Sequence, residues 1–198
     1  MTNLRRLNLG NNRLTGEISA DLGDLTNLQY LDFSDNQFTG EIPADLGDLT
    51  NLRRLVLSDN QFTGERLTQI GKLYRLEVLD LSNNRLTEDI PEGFWNLTNL
   101  RRLNLGNNRL TGEISADLED LTNLQYLDFS NNQFNGEIPE DLRDLYDLRE
   151  LNLSNNQFTG EIPADLEGLA RLGQLDLSNN RLDGNIPEDL SAWFLWNG

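Results

Sequence analysis

The chain has 198 residues, no Cys and no His, and a formal net charge of −17 from 33 acidic and 16 basic residues. The missing thiols and imidazoles exclude disulfide staples, Cys and His nucleophiles and the usual zinc ligand sets. The negative charge argues against attraction to phosphate backbones or anionic lipid, so we expect no nucleic-acid partner. Residues 1–5 lack an apolar signal-peptide core, and no run approaches the roughly 18 apolar residues of a membrane span. We therefore expect no membrane insertion.

The sequence repeats every 24 residues from Met1 without insertion or deletion. Eight blocks begin at residues 1, 25, 49, 73, 97, 121, 145 and 169, and residues 193–198 remain as a tail. We call the blocks turns 1 to 8 and number the positions within each block as columns 1 to 24. A repeat of this length is typical of a solenoid, in which stacked turns share one continuous core.

The apolar residues of the repeat predict a strand in every turn. Columns 1, 4, 7, 9, 14, 18 and 22 of the eight turns comprise 56 residues, of which 55 are apolar. The exception is Arg66. Columns 7 and 9 alternate with the variable columns 6 and 8, which is the period of a half-buried strand. We therefore expect a short parallel strand at about columns 6–9 of each turn.

Column 12 is Asn in every turn, and the second half of each turn carries Gly and Pro. A buried amide needs hydrogen-bond partners, so we expect these asparagines to bond the backbone of adjacent turns. Gly at column 16 favours a bend, and Pro at column 19 removes a backbone donor. This half is expected to be extended, followed by a short 3₁₀ or helical turn. The asparagines of the row are Asn12, Asn36, Asn60, Asn84, Asn108, Asn132, Asn156 and Asn180.

Residues 27–43, which read NLQYLDFSDNQFTGEIP, resemble the plant-specific class of leucine-rich repeat. This class occurs in ectodomains of plant receptor kinases and in polygalacturonase-inhibiting proteins. The resemblance covers residues 1–192 as a single domain and implies an α/β solenoid. Such a solenoid is a curved right-handed superhelix with a parallel sheet on its concave side and short 3₁₀, helical or extended segments on its convex side. The resemblance also favours an extracellular location, although cysteine-paired caps of the kind found in those proteins cannot form here.

The two halves of each turn differ in charge. Columns 15–24 hold 24 acidic and 3 basic residues, whereas columns 1–14 hold 9 acidic and 13 basic residues. The acidic half is interpreted as a solvated convex surface. A calcium site is the alternative, but like carboxylates on neighbouring turns lack the alternating carbonyl ligands that calcium needs. We expect no metal and no cofactor.

Arginine and tyrosine are concentrated in the outward columns of the strand side. Both residue types are enriched at recognition hot spots. We therefore predict that this side binds a protein, peptide or glycan. The alternative is that its arginines pair with aspartates of neighbouring strands, for example Arg54 with Asp32 or Asp80. The predicted ligand-binding residues are Arg5, Arg6, Tyr30, Asp32, Arg53, Arg54, Val56, Val78, Arg101, Arg102 and Tyr126.

The middle of the array and its two ends depart from the pattern. Residues 64–95 are the least regular stretch, and Trp95 falls on a nominally exposed column. Residues 193–196, which read WFLW, are predicted to cover the C-terminal end of the core. Leu4, Leu7 and Leu9 have no comparable cover, which makes either a monomer or weak end-to-end association the expected state.

Three functional hypotheses remain open at this point. The first is a non-enzymatic recognition module that uses its concave face. The second is ice binding, because column 15 is Thr in six of eight turns, although Asn135 and Asp183 interrupt the row. The third is a designed or consensus scaffold without an evolved ligand. An enzyme is disfavoured, because no column places a carboxyl group in a pocket that would raise its pKa. The threonines are Thr15, Thr39, Thr63, Thr87, Thr111 and Thr159.

Overall fold

A computed structural model describes residues 3–64, 67–188 and 190. The predicted C-terminal cover at residues 193–196 and the irregular Arg66 lie outside these residues. In the described part no helix has the length and apolar character needed to cross a bilayer.

A parallel sheet of eight strands runs through the described chain, with one strand from each turn. Neighbouring strands pair in register one repeat apart, as in Leu7 beside Leu31 and Leu31 beside Leu55. The strands occupy columns 6–8, which confirms the predicted position and the predicted solenoid with a long parallel sheet. The strands are Arg6–Asn8, Tyr30–Asp32, Arg54–Val56, Val78–Asp80, Arg102–Asn104, Tyr126–Asp128, Glu150–Asn152 and Gln174–Asp176.

The apolar columns form one continuous core along the stack. Leucines at the centre of the strands, such as Leu55 and Leu79, have no exposed surface. Each fully buried leucine contributes about 1.5–3 kcal/mol of transfer free energy. Phenylalanines add a stacked row, in which the ring of Phe38 lies 5.3 Å from Phe33 and 6.1 Å from Phe62. No turn could bury this surface alone, so folding requires the stack.

The column 12 asparagines connect adjacent turns by hydrogen bonds, as the sequence predicts. The Asn60 Nδ2 donates to the carbonyl oxygens of Phe33, Leu57 and Ser58 at 2.9, 3.3 and 3.1 Å. The Asn60 Oδ1 accepts from the Phe38 amide at 3.0 Å. All polar atoms of this buried amide are therefore occupied, which accounts for an Asn at this position of the stack.

The chain leaves each strand through a left-handed residue at column 11. These residues are all Asn or Asp, with φ between 51° at Asp35 and 60° at Asn11. Asn and Asp tolerate this region better than other non-glycine residues. Column 16 also requires a positive φ and is usually Gly; Glu88 takes this position in turn 4 with φ of 67°.

Short 3₁₀ helices and paired extended segments form the opposite side, as expected. Within the described residues there are seven five-residue 3₁₀ helices, namely Ala20–Asp24, Ala44–Asp48, Thr68–Lys72, Glu92–Asn96, Ala116–Asp120, Glu140–Asp144 and Ala164–Gly168. Two further pairs of short strands are Thr15–Gly16 with Gln37–Phe38 and Thr87–Asp89 with Arg109–Thr111. Ser19 and Ser115 accept backbone hydrogen bonds at the start of their helices, four other helices begin after Pro, and Thr68–Lys72 begins after Leu67. Pro suits this position because it has no amide hydrogen to satisfy.

Candidate ligand-binding face

Columns 6 and 8 project from the sheet away from the core, because side chains alternate along a strand. We call the surface formed by columns 5, 6 and 8 the concave face. Across the strands column 6 places in register Arg6, Tyr30, Arg54, Val78, Arg102, Tyr126, Glu150 and Gln174. Column 8 places in register Asn8, Asp32, Val56, Asp80, Asn104, Asp128, Asn152 and Asp176. The other predicted site residues, Arg5, Arg53 and Arg101, immediately precede these strands.

Tyr30 is held between two arginines, and we call Arg6, Tyr30 and Arg54 the first tyrosine platform. The guanidinium carbon of Arg6 lies 4.2 Å from the ring centroid, and that of Arg54 lies 5.7 Å from it. The Tyr30 hydroxyl donates to the Asp32 Oδ2 at 2.9 Å. Cation–π contacts of this kind contribute about 0.5–1 kcal/mol at exposed sites and orient both partners. The platform is thus ordered before any ligand arrives.

Asp32 anchors the first platform as an ionised carboxylate. Burial acts to raise its pKa, but hydrogen bonds from Ser34 and Tyr30, together with the charge of Arg54, outweigh burial and lower the pKa. The Asp32 Oδ1 accepts from the Ser34 Oγ at 2.7 Å and from the Ser34 amide at 3.1 Å. The carboxylate therefore remains charged at neutral pH and fixes the tyrosine hydroxyl.

Arg102 and Tyr126 form the second tyrosine platform. The guanidinium carbon of Arg102 lies 3.9 Å from the Tyr126 ring centroid, and the Tyr126 hydroxyl donates to Asp128 at 3.1 Å. Burial is the largest of the effects that raise the pKa of Tyr126 to about 12, followed by the charge and hydrogen bond of Asp128 and by the charge of Glu150. The charge of Arg102 acts in the opposite direction. The hydroxyl therefore keeps its proton. Glu150 lies beside Tyr126 on the next strand, at the position that Arg54 occupies beside Tyr30 in the first platform.

The expected pairing of Arg54 with Asp32 or Asp80 is wrong as a direct ion pair. In the described residues no carboxylate lies within ion-pair distance of Arg54, and its buried Nε has no hydrogen-bond partner. The guanidinium instead faces the Tyr30 ring. The neighbouring Arg53 forms an ion pair with Glu77 at 2.7 Å. Pairing thus occurs along column 5, where Arg and Glu are directly adjacent on neighbouring strands.

Val56 and Val78 are adjacent to the first platform, and aspartates flank Val56 on both sides. Val56 is only 5% exposed, so Val78 presents most of the apolar surface. Burial, together with the charges of Asp35 and Asp80, raises the pKa of nearby Asp59. Val56 and Val78 therefore form a small apolar surface beside the first platform, and Asp32 and Asp80 flank Val56; Asp59, in column 11, lies outside the concave face.

Sequence reasoning missed two hollows at turns 6–8. One of about 200 Å³ is lined by polar side chains and strand backbone, including Tyr126, Glu150, Asn152, Gln174 and Asp176. The other of about 510 Å³ is lined by Arg149, Glu150, Arg171, Gly173 and Gln174. Two signals were available in the sequence: column 6 is acidic only at Glu150, and column 5 lacks a side chain only at Gly173.

On the opposite side, the expectation that Trp95 is exposed is wrong, since it is 3% exposed and belongs to the core. Successive residues of a 3₁₀ helix are about 120° apart, so an indole can reach the core from a column beside the apolar one.

Carboxylate oxygens of Glu119, Asp141 and Asp144 lie within 4.8 Å of one another on this side. They belong to the acidic surface that the charge distribution predicts.

The fold and the concave face together define a parallel-β solenoid whose exposed sheet carries preordered arginine and tyrosine side chains. The family model for a leucine-rich repeat region matches residues 1–108 and 45–191. The chain therefore belongs to the leucine-rich-repeat family. A search of curated proteins finds no match.

Solved structures of plant receptors resemble the chain closely. The Arabidopsis receptor kinase HAESA, in complex with the peptide hormone IDA and the co-receptor SERK1, matches at TM-score 0.92 and 38% identity over 96% of this chain and 32% of that chain. The plant peptide hormone receptor RGFR1, in complex with RGF2, matches at TM-score 0.89 and 34% identity over 91% and 29%. A plant ice-binding protein matches at TM-score 0.73 and 27% identity over 93% and 67%. The chain thus spans about a third of the length of the two receptors.

Proposed function

We propose that the chain is a non-enzymatic recognition module that binds an extended peptide on its concave face. The observation that carries this proposal is the first tyrosine platform, in which Arg6, Tyr30 and Arg54 are ordered on a rigid sheet. Arg and Tyr provide large contact area with directional donors, and they dominate binding energy at many interfaces. Fixing them in advance reduces the entropy lost when a partner binds.

The similarity to peptide hormone receptors supports a peptide rather than another partner. Both HAESA and RGFR1 are described in complex with a peptide, and each is at least 34% identical to this chain over the aligned part. The length of the face also suits a peptide. Strands are spaced by about 4.8 Å, so a row of eight strands spans roughly 34 Å, the length of about ten extended residues.

The proposal is tested by selecting a random displayed peptide library on the intact protein, with a glycan array in parallel. We expect peptides to be enriched and a Tyr30→Ala, Arg54→Ala double variant to bind them about 30-fold more weakly, which corresponds to about 2 kcal/mol. The matched control is Arg85→Ala, an exposed arginine outside the concave face. Enrichment of glycans alone, or equal losses in the double variant and the control, would refute peptide recognition.

Ice binding is a second candidate, because the chain resembles a plant ice-binding protein and has a threonine row at column 15. The hydroxyls of Thr39, Thr87 and Thr159 donate to glycine carbonyls of the preceding turn at 3.4, 3.2 and 3.3 Å. These bonds give three of the six threonines a structural role between turns. A measured thermal hysteresis that disappears in a Thr39→Val, Thr159→Val variant would favour ice binding over peptide recognition.

A further inference from the structure

The concave face has diverged at few positions between two copies of a four-turn unit. Turn 1 matches turn 5 at 22 of 24 positions, and turn 2 matches turn 6 at 20 of 24. None of these differences falls in column 5, 6 or 8, so both copies retain the same tyrosine platform. Turns 3 and 7 instead differ at two concave positions, with Arg54 replaced by Glu150 and Val56 by Asn152. The residues beside each tyrosine therefore distinguish the two copies.

The first copy presents a positive charge, at Arg54, that forms no ion pair within the described residues. Arg54 contacts the face of Tyr30, and no described carboxylate lies within ion-pair distance of it. Its Asp32 neighbour is already engaged by Ser34 and Tyr30. An anionic side chain of a ligand can therefore approach Arg54 and Arg6 without displacing an internal ion pair.

The second copy presents negative charge at the corresponding place. The hollow of about 200 Å³ beside Tyr126 is lined by the acidic residues Glu150 and Asp176 and by Asn152 and Gln174, and no arginine or lysine lines it. Hydrogen bonds from Ser178 lower the pKa of Asp176, so it is ionised at neutral pH. Glu150 is exposed and forms no ion pair within the described residues.

Three arginines lie near this negative charge, but within the described residues none forms an ion pair with Glu150 or Asp176. Arg171 is paired with Asp147, and Arg149 and Arg171 line the larger hollow, which shares Glu150 and Gln174 with the smaller one. Arg102 contacts the face of Tyr126. Carboxylates and amide oxygens in a small hollow are the groups that receive an ammonium or guanidinium group.

We propose that the concave face selects an extended peptide with one acidic and one basic side chain about seven residues apart. The acidic side chain binds at the first tyrosine platform, and the basic one enters the hollow at Glu150. From turn 2 to turn 7 there are five strand spacings of about 4.8 Å, which is about 24 Å or seven extended residues. The two charges fix which end of the peptide lies over which copy. This inference rests on the proposed peptide recognition and adds the charge pattern of the ligand.

The test uses a displayed library of nine-residue peptides. Positions 1 and 8 are each varied among Glu, Gln and Lys, and the other positions are drawn from Val, Thr and Ser. On the wild-type protein we expect Glu/Lys pairs, in either order, to be enriched at least 10-fold over Glu/Glu and Lys/Lys pairs. The Arg54→Glu variant should select Lys/Lys, and the Glu150→Arg variant should select Glu/Glu.

Matched charge reversals control for the large net charge. Arg85→Glu and Glu137→Arg alter exposed residues outside the concave face and should retain the Glu/Lys preference. Circular dichroism verifies that every variant is folded. Lys/Lys selection by the wild type, or a preference that neither concave variant changes, overturns the inference while leaving peptide recognition intact. Failure to enrich any peptide overturns peptide recognition itself, and the charge pattern with it.

Discussion

The hydrogen bonds of the column 12 asparagines predict a large loss in the free energy of unfolding when Asn132 is replaced by Ala. Its Nδ2 donates to the carbonyls of Leu105, Phe129 and Ser130 at 3.0, 3.2 and 3.2 Å, and its Oδ1 accepts from the Leu110 amide at 3.0 Å. Asn132→Ala removes these bonds and leaves the Leu110 amide without an acceptor in the core. A buried unsatisfied donor costs about 1–3 kcal/mol and each lost bond about 1 kcal/mol. We expect a loss of about 3–4 kcal/mol in the free energy of unfolding.

Asn12 is the matched control for this measurement. It donates only to Leu9 and Gly10 of its own turn, and it is exposed. Asn12→Ala should therefore cost less than about 1 kcal/mol. Urea unfolding followed by far-ultraviolet circular dichroism gives both values, and the dependence on urea should stay unchanged. A loss below about 1 kcal/mol at Asn132, or equal losses at both sites, would refute the inference that bonds between turns stabilise the stack.

Three further substitutions test charge, packing and backbone. Burial and two neighbouring carboxylates raise the pKa of Asp59, so its ionised form destabilises the fold above that pKa. Asp59→Asn should raise the Tm by about 1–2 °C at pH 7. The gain should vanish when the pH falls below the ordinary Asp pKa of 3.8, because Asp59 is then as neutral as the Asn that replaces it. Trp95→Ala should lower the free energy of unfolding by about 3–5 kcal/mol, because the indole is buried; a loss typical of surface sites would show that it lies outside the core. Gly112→Ala should cost about 1–2 kcal/mol, since its φ is +79° and a Cβ would lie 2.5 Å from the Asp89 Cγ. Gly16→Ala has a similar φ of +89° with nothing within 4 Å, so calorimetry should show a smaller loss there.

The sequence predicts those parts of the fold that depend on repetition. Leu31, Leu55 and Leu79 recur once per repeat because each contacts the same kind of neighbour, and the strand position follows from that period. Asn60 can be assigned a structural role in the same way, since a buried amide present in every turn must meet the same backbone groups.

The parts that depend on single side chains could not be predicted. Charge alone predicts that Arg54 pairs with Asp32, but Ser34 and Tyr30 already occupy that carboxylate. The Arg54 guanidinium lies instead over the Tyr30 ring. The column of Trp95 predicts exposure, although the size of an indole lets it reach the core from a neighbouring column. In each case a local competition between contacts decides the outcome, and periodicity contains no information about it.

The residues of the core and the residues proposed to bind a ligand occupy separate columns of the repeat, and this separation explains how the concave face can change. Leu55 and Leu151 are buried at the centre of equivalent strands, while the residues just before them are Arg54 and Glu150. Reversing a charge at column 6 leaves the leucine core and the asparagine row intact, because those groups project to the other side of the sheet. A duplicated four-turn unit can therefore acquire two sites of opposite charge preference at little cost in folding. The charge reversal at the exposed Glu150 should accordingly change the Tm by less than about 2 °C, the effect expected of a surface substitution.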